Sequence, residues 1–512
     1  MFSKTIVHKN SYYDSVTLMS LGSKVKKLDG VDQAVVVMAT DMNREILENV
    51  GLATEETRAA GQNDLVIAVR AASQEICEKA FEAIGEKLAA GSGGGAEKAE
   101  VEYKTIRHAK EDLPGANVAV ISVPGRYAAR EARVALRSGM HVMMFSDNVT
   151  VAEEKALKEL AVEKGLLMMG PDCGTAVING TGLCFANQIR KGDIGVVGAS
   201  GTGLQEVLVQ IHRLGGGITQ ALGTGGRDLS REIGGLMMLH GMQALGQDPD
   251  TKVIVLVSKP PEKSVEEKVF AQIEKMDKPV VVCLLEGDTS RRCRDGVYLC
   301  DNLLGAAEQA VRLSGVRVQP REAIREVGVQ EIASAKAMLQ PGQTKVCGLF
   351  CGGTLCAEAL FILRRHWRIR SNISHRDEEK IAGKEPCTEN LLLDLGDDEF
   401  TNGRPHPMIE PSLRGEWIEK AAQRPEVGVI LLDFEIGYGS HPDPAGVTIE
   451  SIRAARKAAE AQGRNLVFVG YICGTEEDKQ NLAAQAAALK AEGVILARSN
   501  MEAANIVVDI LE

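Results

Sequence analysis

Two stretches of this sequence carry residues suited to handling an anion. In the first, Ser200-Gly201-Thr202 follows the apolar run Ile194-Gly195-Val196-Val197 and opens a helix pattern through Leu204, Val207, Leu208, Ile211 and Leu214. A strand, a small-residue turn and a helix put unpaired N–H groups and a positive dipole end at the turn, where a phosphate or carboxylate can be held. Tight connections in parallel sheets favour glycine too, so both readings stand. In the second stretch, Asp394, Asp397, Asp398, Asn402, Arg404 and His406 crowd together. Arg404, between Gly403 and Pro405, is suited to forking onto a carboxylate or phosphate. His406, between Pro405 and Pro407, has little backbone freedom and can exchange a proton near neutral pH. His406, Arg404 and Asp398 are therefore the candidate catalytic residues, with Asn402 as an anion ligand. A surface loop whose aspartates cap a helix would carry the same residue types.

An internal repeat ties the two stretches together. Lys345 to Glu358 repeats the strand, turn and helix of the first stretch, with Gly352, Gly353 and Thr354 in the turn and Glu358 placed as Glu206 is. Leu391 to Asp398 then stands where the strand into Gly225-Gly226-Arg227-Asp228 stood, Val427 to Asp433 corresponds to Val253 to Val257, and Leu466 to Thr475 to Pro279 to Asp288. Ser200, Gly201, Thr202, Gly352, Gly353 and Thr354, with Arg227, form the expected anion site, shared by two facing helix ends. Cys347, Cys351 and Cys356 lack neighbouring histidines, so no metal site is expected and packing is their expected role. His441 is a weaker candidate, and Glu286 to Arg294 reads as a solvated loop.

These residues need a frame of several parallel sheets. The 512 residues exceed one hydrophobic core, and 44% hydrophobic with 25% charged content fits a globular chain. From Val118 onward, non-alternating apolar runs alternate with helix patterns, the mark of strands covered on both faces. The fold class is α/β with several doubly wound parallel sheets. Domains are expected at 1–96, a small α/β module ending in the linker AGSGGGA; 97–190, a Rossmann-like unit; 191–330; and 345–512, the repeat of 191–330. A net charge of −11 argues against nucleic acid or an anionic membrane as partner. No signal peptide or spanning segment appears, and the scattered cysteines, 11 in all, read as reduced thiols, so the expected location is the cytoplasm.

The run Gly170-Pro171-Asp172-Cys173-Gly174, followed by Gly192 to Thr202, resembles the succinyl-CoA synthetase α subunit and its NDP-forming acyl-CoA synthetase relatives. The repeat resembles the carboxy-terminal domain of the partner β subunit. Val142 to Val149, Leu166 to Gly174, Gly223 to Ser230 and Thr401 to Ile409 look closer still to the FdrA family and its YahF-like branch. That resemblance implies a CoA-binding-like domain at 97–190, two ligase-like domains after it, and helix ends that face a phosphohistidine. It also implies a small anionic substrate, other enzyme subunits and an oligomer. Yet no histidine lies between His240 and His366, so the phosphohistidine is missing. The amino-terminal region lacks a strand-preceded Gly-rich loop, which argues against coenzyme A, and no ATP-grasp domain is evident. FdrA-family proteins are associated with carbamoyl transfer in ureide catabolism, as in oxamate and carbamoyl phosphate interconversion. The expected function is therefore a subunit of a carbamoyl or other acyl transferase, with carbamoyl phosphate or phosphate as ligand and no certain cofactor. The alternatives are an NDP-forming acyl-CoA synthetase subunit and a non-catalytic scaffold or ligand-sensing subunit.

Overall fold

The computed structural model describes residues 1–9, 11, 13, 15–26, 28–62, 64–91, 103–317, 327–382, 387–401 and 404–512. It divides into two compact units, Met1–Glu102 with Asp398–Glu410, and Tyr103–Asp397 with Pro411–Glu512. The second unit is α/β with parallel sheets, as the sequence pattern implies, and the first unit is built on an antiparallel sheet.

The first unit is built on β1 (Phe2–His8), α1 (Ser15–Lys26), β2 (Val31–Met38), α2 (Asp41–Asn49), α3 (Glu55–Ala59), β3 (Leu65–Ala71) and α4 (Gln74–Gly91). Its antiparallel sheet has the order β1-β3-β2. In the central strand Leu65, Ile67 and Val69 pack with Leu18, Leu21 and Ile84, while Val66 and Ala68 pack with Leu47 and Leu52. Side chains of a strand alternate between faces, so an unbroken apolar run is what a strand covered on both sides requires. Of the expected linker, residues 92–96 lie outside the described residues, and Ala90 and Gly91 end α4.

The second unit opens with α5 (Ile106–Asp112), β4 (Val118–Ile121), α6 (Gly125–Arg137), β5 (His141–Met144), α7 (Val151–Glu163) and β6 (Met168–Met169), a parallel sheet of order β4-β5-β6. Next come β7 (Thr175–Ile178), β8 (Thr181–Cys184), β9 (Lys191–Ala199), α8 (Gly201–Arg213), β10 (Ile218–Gly223), α9 (Leu236–Gln247), β11 (Val253–Ser258), α10 (Lys263–Ile273), β12 (Val280–Leu284), β13 (Val297–Leu299) and α11 (Leu303–Leu313). The hairpin β7-β8 turns through Asn179 and Gly180, both at positive φ, as an Asn-Gly turn allows. It pairs antiparallel to β10 and extends an otherwise parallel sheet of order β13-β12-β11-β9-β10-β7-β8.

The repeat comprises α12 (Val329–Met338), β14 (Lys345–Phe350), α13 (Gly353–Leu363), β15 (Ile369–Ser371), β16 (Asn390–Asp394), α14 (Asp398–Thr401), α15 (Ser412–Ala422), β17 (Val427–Glu435), α16 (Pro444–Glu460), β18 (Val467–Cys473), α17 (Leu482–Ala491), β19 (Val494–Ala497) and α18 (Asn500–Leu511); α14 belongs to the first unit. Its sheet is parallel, with the order β15-β16-β14-β17-β18-β19. The segment β16-β14-β17-β18-β19 reproduces β10-β9-β11-β12-β13, so the repeat seen in the sequence is a repeat of topology.

One apolar core joins the two sheets, running from Val196, Leu208 and Val255 to Phe350, Leu431 and Tyr471. The polar contacts across it are reciprocal. Glu358 of α13 accepts the Leu303 N–H that opens α11 at 2.8 Å, and Glu206 of α8 lies 3.5 Å from the Asn500 N–H that opens α18. Each repeat thus supplies a carboxyl group to a helix start in the other. Arg213 closes the seam by donating to the carbonyls of Ile472 at 2.8 Å, Gly474 at 2.7 Å and Arg498 at 2.9 Å.

A fully buried ion cluster holds the three-stranded sheet to the seven-stranded one. Lys158 Nζ donates to Glu154 at 2.8 Å, to Asp228 at 2.8 Å and to the Thr224 carbonyl at 2.9 Å. Asp228 also accepts the N–H groups of Met237 and Met238 and so caps α9. Lys158→Met removes the fully buried cation that bridges these two carboxylates, and breaking such a buried pair costs about 3–5 kcal/mol. Urea unfolding is expected to show that loss, and an unchanged midpoint would contradict it.

Candidate functional site

The candidate site lies where the carboxyl ends of the two parallel sheets meet, the usual place for ligands in such folds. Residues fall there because each β-strand ends in a short turn leading into a helix. Ser200 follows β9, Lys259 follows β11, Cys351 and Gly352 follow β14, Asp394 ends β16, and Asp433 and Glu435 end β17.

The two helix starts meet head to head. Ser200, the N-cap of α8, accepts the Gly203 N–H at 2.9 Å, and its Oγ lies 2.6 Å from Thr354 Oγ1 in α13. Thr202 Oγ1 accepts the Thr354 N–H at 3.2 Å. A Cβ on Gly203 would stand 2.9 Å from Thr354 Cγ2, and one on Gly352 would stand 3.0 Å from Thr202 Cγ2. Here the glycines admit the facing helix.

Like dipole ends brought together repel, and carboxyl groups gather around them. Asp433 accepts the N–H groups of Cys351 and Gly352, both at 2.8 Å. Arg414, buried against the Phe434 ring, donates to the Asp433 carbonyl, to Cys351 Sγ at 3.2 Å and to Thr448 at 3.1 Å. Glu435 is buried with no hydrogen-bond partner on Oε1; burial, with the adjacent Asp433 charge, holds its carboxyl well above the usual range. Burial pushes Asp394 up to about 7 against the opposing charge of Lys259. Cys351, Asp433 and Glu435 place ligand atoms within 4.8 Å of one another, but the Arg414 guanidinium already sets a fixed cation against two of them. Burial also pushes the Cys351 thiol up, which suits packing more than thiolate chemistry.

The sequence-derived residues divide. Ser200, Gly201, Thr202, Gly352, Gly353 and Thr354 belong to the paired helix ends. Arg227 binds the Glu154 carboxylate at 2.9 Å and the Val149 carbonyl at 2.7 Å, in the cluster around Lys158. Asp398, Arg404 and His406 belong to the first compact unit, whereas Asp394 and Asp397 belong to the second. Asn402 lies outside the described residues. Asp398 and Arg404 are exposed. His406 is half-buried, accepts the Met408 N–H on Nδ1 at 3.2 Å, and is pushed down to about 4 by burial, so its ring is neutral at pH 7. Lys259, Arg414, Asp433 and Glu435 were not singled out from sequence. Lys259 and the Asp433 carboxylate close strands paired by the repeat, and that correspondence was the available signal.

Comparison with known proteins defines the class. Residues 189–287 match the model described as CoA binding domain, 349–508 that described as CoA-ligase, and 1–104 that described as AllF, heavy metal-associated domain. The second unit therefore has an acyl-CoA synthetase or succinyl-CoA ligase type of scaffold. The chain belongs to the family of the uncharacterized protein YahF of Escherichia coli (strain K12), with 47% identity over 98% of this chain and 97% of the relative. It is also similar to the succinate–CoA ligase [ADP-forming] subunit alpha of Staphylococcus epidermidis (strain ATCC 35984), 28% identical over 48% of this chain and 82% of the relative. Among solved structures, it is similar to the apo form of a dinucleotide-forming acetyl-coenzyme A synthetase of Ca. Korarchaeum cryptofilum. That match has a TM-score of 0.30 and 14% identity, covering 82% of this chain and 87% of that one.

The residues present bear on the groups that these descriptions name. Cys77 is the single cysteine of residues 1–104; it is buried and directs Sγ to the Val69 carbonyl at 3.8 Å, so a paired-thiolate metal site does not fit there. For coenzyme A, Gly203 faces Thr354 and Gly125 packs on the Asp147 and Asn148 carbonyls, whereas Gly201 and Gly226 leave room for a Cβ. At Gly203 and Gly125 the chain itself occupies the close approach that a pyrophosphate would need.

Two outcomes follow. In a double-mutant cycle, Ser200→Ala and Thr354→Val should show a coupling of about 1 kcal/mol in urea unfolding, and additive effects would refute the bond. Asp394 rises from its ordinary 3.8 to about 7, so the folded state keeps a proton that the unfolded state releases. Its contribution is present below about pH 4 and is lost toward pH 7, at about 1.4 kcal/mol per pH unit. Asp394→Asn should remove that slope relative to the unsubstituted protein, measured as urea midpoints across the window.

Proposed function

We propose that this chain is a subunit of a multi-protein enzyme of NDP-forming acyl-CoA synthetase type, and that it holds the carboxylate or acyl phosphate group of the substrate. One observation carries this reading: Ser200 Oγ takes the Gly203 N–H, which leaves the Gly201 and Thr202 N–H groups directed out of the first turn of α8. Both residues are half-buried, and half-buried Lys259 stands at the end of the adjacent strand β11. The N–H pair would hold one oxyanion and Lys259 Nζ would offset its charge. The relatives' ligase names support the scaffold. Nucleotide chemistry would come from a partner subunit.

A second reading has its own support. With no histidine between His240 and His366, the chain lacks the expected phosphoryl relay and suits an acyl phosphate supplied ready-made. Carbamoyl transfer between carbamoyl phosphate and oxamate, in an enzyme of FdrA type, fits that requirement. Arg404 and His406 are then candidate substrate contacts, His406 as a neutral proton acceptor.

The test uses the full chain with co-purifying subunits, offering acetyl phosphate with coenzyme A in one arm and carbamoyl phosphate with oxamate in the other. Product in the first arm supports the ligase reading, and product only in the second supports carbamoyl transfer. Lys259→Met should lower the rate at least tenfold. No product in either arm would favour a scaffold role, and an unaffected Lys259→Met variant would overturn the proposed site.

A further inference from the structure

The chain carries 70 acidic against 59 basic residues, yet one face of α6 is built of arginine. Arg130, Arg133 and Arg137 recur at helical spacing on the side opposite Ala128, Ala132 and Ala135, which are buried. Arg107 of α5 joins them. With Val134 and Ser138, these four arginines line one solvent-open cavity of about 320 Å³ with no carboxylate among its described lining residues. Among the described residues, the carboxylate within ion-pair range of any of the four is Glu131, 4.0 Å from Arg130. Arg137 ends α6, just before the chain enters β5 at His141.

Four like charges around one open cavity repel one another, and an anion bound there would offset them. A single carboxylate would engage one guanidinium fork. From Arg130 to Arg137 the helix rises about 10 Å, a span that suits several linked anionic groups. Planar forks match phosphate oxygens two at a time. The absence of aromatic residues from the wall and the net negative charge of the chain disfavour nucleic acid. We propose that the Arg107, Arg130, Arg133 and Arg137 cavity is a binding site for a small ligand carrying two or more linked phosphate groups. The site is independent of the paired helix ends.

Calorimetric titration of the full chain with inorganic pyrophosphate and, separately, with ATP tests this. Binding of both at the same site is expected. Equal affinities assign a free diphosphate, and tighter ATP binding assigns a nucleotide. The Arg133→Gln/Arg137→Gln variant should bind at least tenfold more weakly with an unchanged thermal midpoint, because the replaced groups line an open cavity. Arg133→Lys, which keeps charge but loses the fork, should fall between. No binding of either probe, or equal binding by the double variant, would overturn the proposal. Binding of poly-L-glutamate without binding of pyrophosphate would overturn it as well and assign the face to an acidic protein segment.

Discussion

The meeting of two helix starts is the constraint on which the second unit depends. Two positive dipole ends face each other across a hydroxyl pair, Ser200 and Thr354, 2.6 Å apart. Such a junction persists only if negative charge is near and nothing larger than hydrogen intervenes on the backbone. Asp433 answers the first requirement by binding the Cys351 and Gly352 N–H groups, and Gly203 and Gly352 answer the second. Asp394 and Glu435 stand around the same junction, where their carboxyl groups are held above their usual range.

The rest of the unit keeps that junction in place. A shared apolar core removes relative sliding of the sheets, and the Arg213 contacts satisfy carbonyl groups at the end of β18. Glu206 and Glu358 are buried at equivalent positions in α8 and α13, and burial raises the Glu358 carboxyl to about 7. Their partners on the opposite repeat explain why acidic residues occur in helices otherwise packed with apolar side chains. Chemistry at the junction, if it is to be selective, inherits this rigidity.

The architecture was legible because strands covered on both faces leave unbroken apolar runs. β4 to β6 and the inner strands of both repeated sheets fall close to the expected segments, and the repeat extends to strand order. β1, the β7-β8 hairpin and the edge strands β13, β15 and β19 were not read: β1 has exposed positions and weak patterning, and the others are short. The glycine turns and the facing of their two helix ends were visible, but sequence alone could not show that the ends touch directly, through Ser200 and Thr354. Arg227 carried the right chemistry for an anion and meets one, the carboxylate of Glu154. Arg414 gave no local signal, since its role arises from Cys351 and Asp433, which are distant in sequence.

The reciprocal contacts of Glu206 and Glu358 have a consequence for how the protein exists in solution. Neither repeat has a complete set of helix starts alone, so the two must associate to be finished. Carrying both on one polypeptide makes that association intramolecular, at an effective concentration set by the connecting segment and not by dilution. The association of the two repeats is therefore insensitive to protein concentration, an advantage over two separate chains meeting at the same surface.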